Sequence, residues 1–250
     1  MASRQSTPGY LYFLADFFNL VIEAMVYFAS FAGPVTLLWF YRSLHPLALT
    51  LLGILGWLLA ALSFTLILVF IKRVLIGEVP TGRFLLTSSR SYRWMASDRV
   101  VKMMTRSPFR SLTTENAFFR YLFYKGMGMR FETTLLIGPR AVIAEPWSMT
   151  VGHNVVIGAD ASLSGHKVEH QVVTLEPITI GNDTLIGTRA VILPGVTIGN
   201  RVVLGANSLV PRGTVIPDGE TWAGNPAQRV GIFAGKKAAT ATTTSAATES

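Results

Sequence analysis

The stretch ITIGNDTLIGTRAVILPGVTIGNRVVLGANSLVPRGTVIPDG, residues 178–219, decides the fold. Aliphatic side chains recur six apart at Ile180, Ile186, Ile192, Ile198, Leu204, Val210 and Ile216, and Trp222 continues the series. Four positions after each aliphatic stands a small or β-branched residue: Thr184, Ala190, Val196, Val202, Ser208 and Thr214. Glycine follows the aliphatic at Gly181, Gly187, Gly199 and Gly205. A period of six is neither 3.6 nor 2, so neither an amphipathic helix nor a hairpin sheet explains it. A coil with three flat sides does. Each side is a short strand with one aliphatic pointing inward, and glycine or a small residue permits each corner. Turns of the coil then stack identical positions into ladders.

The same phase reaches upstream. Ile137 and Ile143 share it, and Val151, Ile157 and Leu163 resume it after a two-residue insertion. A second interruption, SGHKVEHQVVTLEP at 164–177, separates Leu163 from Ile180. Insertions at solenoid corners concentrate function. This one carries His166 and His170, two of the four histidines, with Glu169 beside them. An imidazole can take a proton from a hydroxyl or amine near neutral pH, and a carboxylate within reach can fix its tautomer. Either histidine, with Glu169 beside it, is a candidate for such proton transfer. His170 and Asp160, one coil earlier, are candidate acceptor contacts.

The rest of the chain has another composition. Of 250 residues, 50% are hydrophobic and only 14% charged. The absence of cysteine excludes disulfides, thiolate metal sites and a cysteine nucleophile. Residues 43–71 hold no Asp, Glu, Lys or Arg, long enough for a membrane helix, which needs about 20 apolar residues. Residues 10–41 read as a second, with Asp16, Asn19, Glu23 and Ser30 on one face and a kink at Gly33–Pro34. The linker YRSLHP makes the two a hairpin. The net charge of +8 arises between Lys72 and Arg130, which hold 12 Lys/Arg and 3 Asp/Glu. By the positive-inside rule this block lies in the cytoplasm. Aromatics mixed among these cations read as interfacial helices rather than as a nucleic-acid site.

The six-residue repeat resembles that of the hexapeptide-repeat, left-handed β-helix acyltransferases, and WAGNPAQRV at 222–230 is similar to that family's closing signature. SGHKVEHQ resembles the catalytic loop of its sugar O-acetyltransferases. A longer likeness is to the membrane-bound C-terminal domains of ε-poly-L-lysine synthetase, which carry two membrane helices, an aromatic-basic stretch with an RW pair, as in Tyr92-Arg93-Trp94, and a similar loop. The resemblance implies a homotrimer that takes acetyl-CoA or another acyl thioester as co-substrate, with no metal. It implies His166 as general base with Glu169 as its matched carboxylate, and a donor groove near Thr188, Ala190, Ala206 and Arg212. A carrier protein or a synthetase becomes a possible partner, since those synthetase domains are fused to an adenylation and carrier module.

The expected organisation is a transmembrane hairpin (1–73), basic-aromatic interfacial helices (74–132), a left-handed parallel β-helix (133–232) and a disordered tail (233–250). The expected location is the bacterial cytoplasmic membrane, multi-pass, with the β-helix facing the cytoplasm. The expected activity is acyl transfer to a hydroxyl or amine. Two alternatives stand beside it: a non-catalytic trimeric scaffold, and a zinc-dependent enzyme of γ-carbonic-anhydrase type using His153, His166 and His170.

Overall fold

The six-residue period becomes two- and three-residue strands that pair in parallel with their counterparts on the next turn of the coil. A computed structural model describes residues 9–232. The side chains of residues 9–16 and of Asn19 lie outside the described residues, and with them the Asp16 and Asn19 part of the polar stripe. The expected tail at 233–250 lies outside them too. One face of the coil stacks Arg130–Phe131, Met149–Val151, Ile178–Ile180, Thr197–Ile198 and Val215–Ile216. The second stacks Leu136–Ile137, Val156–Ile157, Leu185–Ile186, Val203–Leu204 and Glu220–Gly224. The third stacks Val142–Ile143, Ser162–Leu163, Val191–Ile192 and Leu209–Val210. Registers are strict: Ile186 pairs with Ile157 and Leu204, and Ile192 with Leu163 and Val210. The strand residue ahead of each aliphatic faces outward, as period 2 requires, while Ile157, Ile186, Ile192 and Leu204 are fully buried.

Two of the three corners turn through left-handed residues other than glycine, while Gly195 and Gly213 supply the left-handed turn at the third. Arg140, Asp160, Arg189 and Asn207 form one column with φ between 56° and 59°. Asn154, Asp183 and Arg201 form the other, with φ of 52–55°. Side-chain amides and carboxylates bond neighbouring turns there, as when Asn182 Oδ1 accepts from His153 N at 3.0 Å. The third corner carries both interruptions of the repeat. The coil closes where Glu220–Gly224 folds back antiparallel on Ala227–Ile232.

Helix α1 (Gly9–Phe40) and helix α2 (Pro46–Phe70) pack antiparallel, with Tyr27 stacked on Phe64 at 5.1 Å. Both contain spans long and apolar enough to cross a membrane. Phe18, Leu20, Met25, Phe28, Trp39 and Phe40 are exposed along α1. The helix continues through Pro34, whose ring lies against Gly56 of α2. The polar stripe turns partly toward the chain's own helices: Glu23 lines a cavity of about 250 Å³ with Arg99, Lys102 and Arg106. Ser30 is buried and donates to the Val26 carbonyl. Beyond α2, the helix widens into a π-helical turn, Ile71–Ile76.

Helices α3 (Ser89–Arg106), α4 (Arg110–Glu115) and α5 (Ala117–Gly126) form a cap between α2 and the coil. Ser88 caps α3 and Asn116 caps α5, each through a side-chain oxygen accepting an orphan backbone N–H. Met104, Phe109 and Phe123 are buried in a core that runs on into the coil interior. The aromatic-basic stretch, expected to lie along an interface, thus turns its aromatics largely onto protein. Gly126 permits close contact with α2, since a Cβ there would stand 2.3 Å from Val69 Cγ2.

Candidate active site

The interruption at 164–177 is a β-hairpin. His166–Glu169 pairs antiparallel with Val172–Leu175, and Gly82–Leu85, from the stretch after α2, adds a third strand along Val172–Leu175. His170 and Gln171, with φ of 46° and 66°, form the two-residue turn, the geometry that matches strand twist in tight hairpins.

His166 opens this hairpin against the wall made by the other insertion, Glu145 and the 3₁₀ turn Pro146–Ser148. Glu145 is fully buried and accepts three donors. Its Oε2 takes the Gly165 N–H at 2.9 Å. Its Oε1 takes the Trp94 indole N–H at 3.2 Å and lies 2.5 Å from His166 Nδ1. A buried carboxylate persists only when so satisfied. Trp94 also packs its ring on the imidazole, centroids 4.9 Å apart. Ser164 Oγ, donating to the His166 carbonyl, lies 3.2 Å from the same Nδ1. With two acceptors at Nδ1, the neutral ring keeps its proton there, which leaves the Nε2 lone pair free. Among the described residues Nε2 has no hydrogen-bond partner.

Burial of the ring pushes its pKa down. The hydrogen bond that the ring donates to Glu145 and that carboxylate's charge, helped by Asp98 of α3, outweigh that, and the net pKa is raised above 6.5. A glycine is needed beside it. A Cβ on Gly165 would meet Ser148 Oγ at 2.7 Å and the Glu176 carbonyl at 3.1 Å.

Several expected site residues fall elsewhere. Glu169 is not beside His166. On a strand, residues three apart face opposite sides, and Glu169 is exposed and paired with Lys167 at 2.6 Å, which holds its carboxyl below the usual range. The carboxylate at the imidazole is Glu145. His170 is exposed on the hairpin turn, at the far end from His166. Asp160 sits in a left-handed corner on a different edge of the coil, with both oxygens at 2.7 Å from Arg140. His153 sits on the remaining corner, so the three histidines of the zinc alternative do not converge within one chain.

Of the donor-groove residues, Thr188 and Ala206 are exposed on adjacent turns of one outer ridge, where the Thr188 carbonyl accepts from Asn207 N at 2.9 Å. Ala190 faces the coil interior and is fully buried, and its carbonyl accepts from Ser162 N at 2.8 Å, so it lines no external groove. Arg212 lies at the third corner, bonded through Nε and Nη2 to both oxygens of Glu176, and the charge of each stabilises that of the other. Glu176 N in turn donates to the Gly165 carbonyl at 2.8 Å, tying this pair to the His166 end of the hairpin.

Glu145 and Trp94 were missed as site residues. The signal for Glu145 was the two-residue break between Ile143 and Val151, which falls on the same corner as the longer one. The signal for Trp94 was the RW pair.

Residues 177–212 match the family of bacterial transferase hexapeptide repeats. The match lies inside the stretch in which the six-residue period is unbroken. The chain is 28% identical over 190 residues to the delta-poly-L-ornithine synthetase of Acinetobacter baumannii (strain AB307-0294), across 76% of this chain and 14% of that protein's length. Among solved structures it is similar to a maltose O-acetyltransferase from Clostridium difficile 630, with 17% identity, a TM-score of 0.48, and coverage of 62% of this chain and 99% of that one. It is also similar to a hexapeptide-repeat acetyltransferase from Vibrio cholerae O1 biovar eltor complexed with acetyl coenzyme A, with 22% identity, a TM-score of 0.43, and coverage of 60% and 92%.

Proposed function

We propose that this chain is a membrane-anchored acyltransferase that moves an acyl group from a thioester to an amine or hydroxyl at the cytoplasmic face. The observation that carries the reading is the buried Glu145 against His166 Nδ1, with Nε2 left open. In the step proposed, Nε2 takes the proton as the acceptor's N or O attacks the thioester carbonyl. The tetrahedral intermediate collapses, the C–S bond breaks, and the departing thiolate receives the proton back from Nε2. Glu145 is a positioning residue: it holds the tautomer and stabilises the imidazolium without touching substrate. Trp94 fixes the ring from above. No thiol nucleophile is present in the sequence, so direct transfer is more economical than a covalent acyl-enzyme.

The named ligand of the Vibrio relative supports acetyl-CoA or a similar thioester as donor. The name of the Acinetobacter relative, a poly-L-ornithine synthetase, supports an amine acceptor and an aminoacyl donor. The exposed apolar surfaces of α1 and α2 support bilayer insertion, with the basic block on the cytoplasmic side. A homotrimer is the assembly proposed. The test is thioester turnover by detergent-purified protein. His166→Ala should abolish turnover of acetyl-CoA and of carrier-bound aminoacyl thioester while leaving donor binding intact. Unchanged turnover in that variant refutes the reading.

A further inference from the structure

A cleft of about 610 Å³ opens where α2 ends, within the range of about 300–1,000 Å³ typical of small-molecule sites. Lys72, Arg73, Lys125 and Arg130 line it against one carboxylate, Glu78. Three of its cations are held in place. Lys72 is buried, donates to the Gly77 carbonyl at 2.5 Å and lies 5.1 Å above the Trp147 ring. Arg73 reaches across to α5 and donates to the carbonyls of Gly126 and Lys125 at 2.7 and 2.8 Å. Lys125 sits over Phe131 at 5.2 Å. None of the four is ion-paired among the described residues. Trp147 in the cleft wall has a buried indole N–H without a partner.

Helix α2 supplies 25 residues, about 37 Å of rise, so a membrane-spanning α2 brings Lys72 and Arg73 to headgroup depth. Phe70, Val74 and Leu75, which flank these cations, are exposed and apolar. A phosphate held by cations beside apolar surface is the chemistry of an anionic phospholipid. We propose that this cleft binds the phosphate headgroup of an anionic membrane lipid, with its acyl chains lying along α2. Two lining residues carry the effect onward. Val79 and Trp147 belong to or pack on the cluster that holds Trp94 over His166, so an occupied cleft steadies the imidazole's ceiling.

The inference rests on the membrane reading of α2, and the experiment separates the two. Full-length protein is floated with phosphatidylcholine vesicles, then with vesicles containing phosphatidylglycerol, and lipid co-purifying in detergent is counted by native mass spectrometry. Failure to float with phosphatidylcholine refutes the membrane reading. Flotation with no retained phosphatidylglycerol refutes the headgroup site alone. The wild type should retain phosphatidylglycerol, and Arg130→Gln with Lys125→Gln should lower retention about tenfold or more. Arg90→Gln with Arg93→Gln, exposed in the same basic block, should retain wild-type levels. An equal loss in both pairs means general surface attraction and overturns the proposal. Displacement of the lipid by millimolar inorganic phosphate overturns it too, since the site would then serve a free anion. If Lys125→Gln unfolds the protein, Arg130→Gln alone is read against Arg93→Gln by the same criterion.

Discussion

Glu145→Gln probes the site with the smallest change of shape. The carboxylate has two acceptor oxygens serving opposite sides: Oε1 takes His166 and Trp94, and Oε2 takes Gly165 N. An amide has one acceptor. If its oxygen stays toward His166, its NH₂ confronts the Gly165 N–H. If it flips, the NH₂ faces Nδ1 and favours the tautomer protonated on Nε2, which cannot act as base. Both arrangements also remove the charge that supports the imidazolium. Loss of a carboxylate that orients a catalytic histidine costs roughly 10²–10⁴ in rate, about 3–5 kcal/mol of transition-state stabilisation. The assay is kcat/KM for thioester against pH. In the wild type, activity should rise with pH through an inflection above 6.5, because His166 must be neutral and its pKa is raised. In Glu145→Gln the inflection should move down, since burial of the ring then acts without its counterweight. Stability runs the other way. The pairing of His166 imidazolium with Glu145 contributes fully below about 6.5 and is lost as pH rises through the raised native pKa. Glu145→Gln retaining more than a tenth of wild-type activity, or an unmoved inflection, would refute the reasoning.

Glu169→Gln should leave kcat/KM within about threefold, because only the exposed Lys167 pairs with it; a loss equal to that of Glu145→Gln restores the sequence-based pairing. Trp94→Phe keeps a ring on the imidazole and loses the N–H to Oε1, a hydrogen bond to a charged group worth about 1.5–3 kcal/mol, and should show a lowered kcat with little change in KM for the donor. Gly165→Ala forces a Cβ against Ser148 and Glu176 and should destabilise by about 1–3 kcal/mol, read as a fall in Tm. Ile198→Ala opens a cavity in the coil interior and should cost about 2–5 kcal/mol by the same measurement.

The coil was legible because its geometry repeats. Each inward aliphatic occupies the same place in its strand and pairs in register with the aliphatic one turn on, so the period from Ile180 to Ile216 carries fold, phase and burial together. The site was half legible. His166 lies in a marked insertion, but SGHKVEHQ reads as an open loop, since the turn residues His170 and Gln171 are not the Asn-Gly or Gly-rich pairs that announce a tight hairpin. Taken as a loop, Glu169 is free to reach His166; taken as a strand, it faces away. Glu145 sits in the other break of the repeat, but nothing local pairs it with His166. Its partner lies 21 residues on, on the next turn of the coil, and corner stacking brings them together. The helical cap was read too superficially. Phe109, Phe123 and Met104 sit among Arg and Lys in sequence, and only tertiary packing decides that the aromatics turn inward.

The indole of Trp94 joins two parts of the chain that would otherwise be separable modules. Every rung of the coil lies at or beyond Arg130, yet one donor to the Glu145 carboxylate comes from α3, 51 residues earlier in the chain. A fragment cut at the start of the coil would keep its ladders, and with the indole gone it would open the buried carboxylate to water. Such a fragment reports on folding and says little about chemistry. The same hydrogen bond links helix α3 to the carboxylate that holds the imidazole.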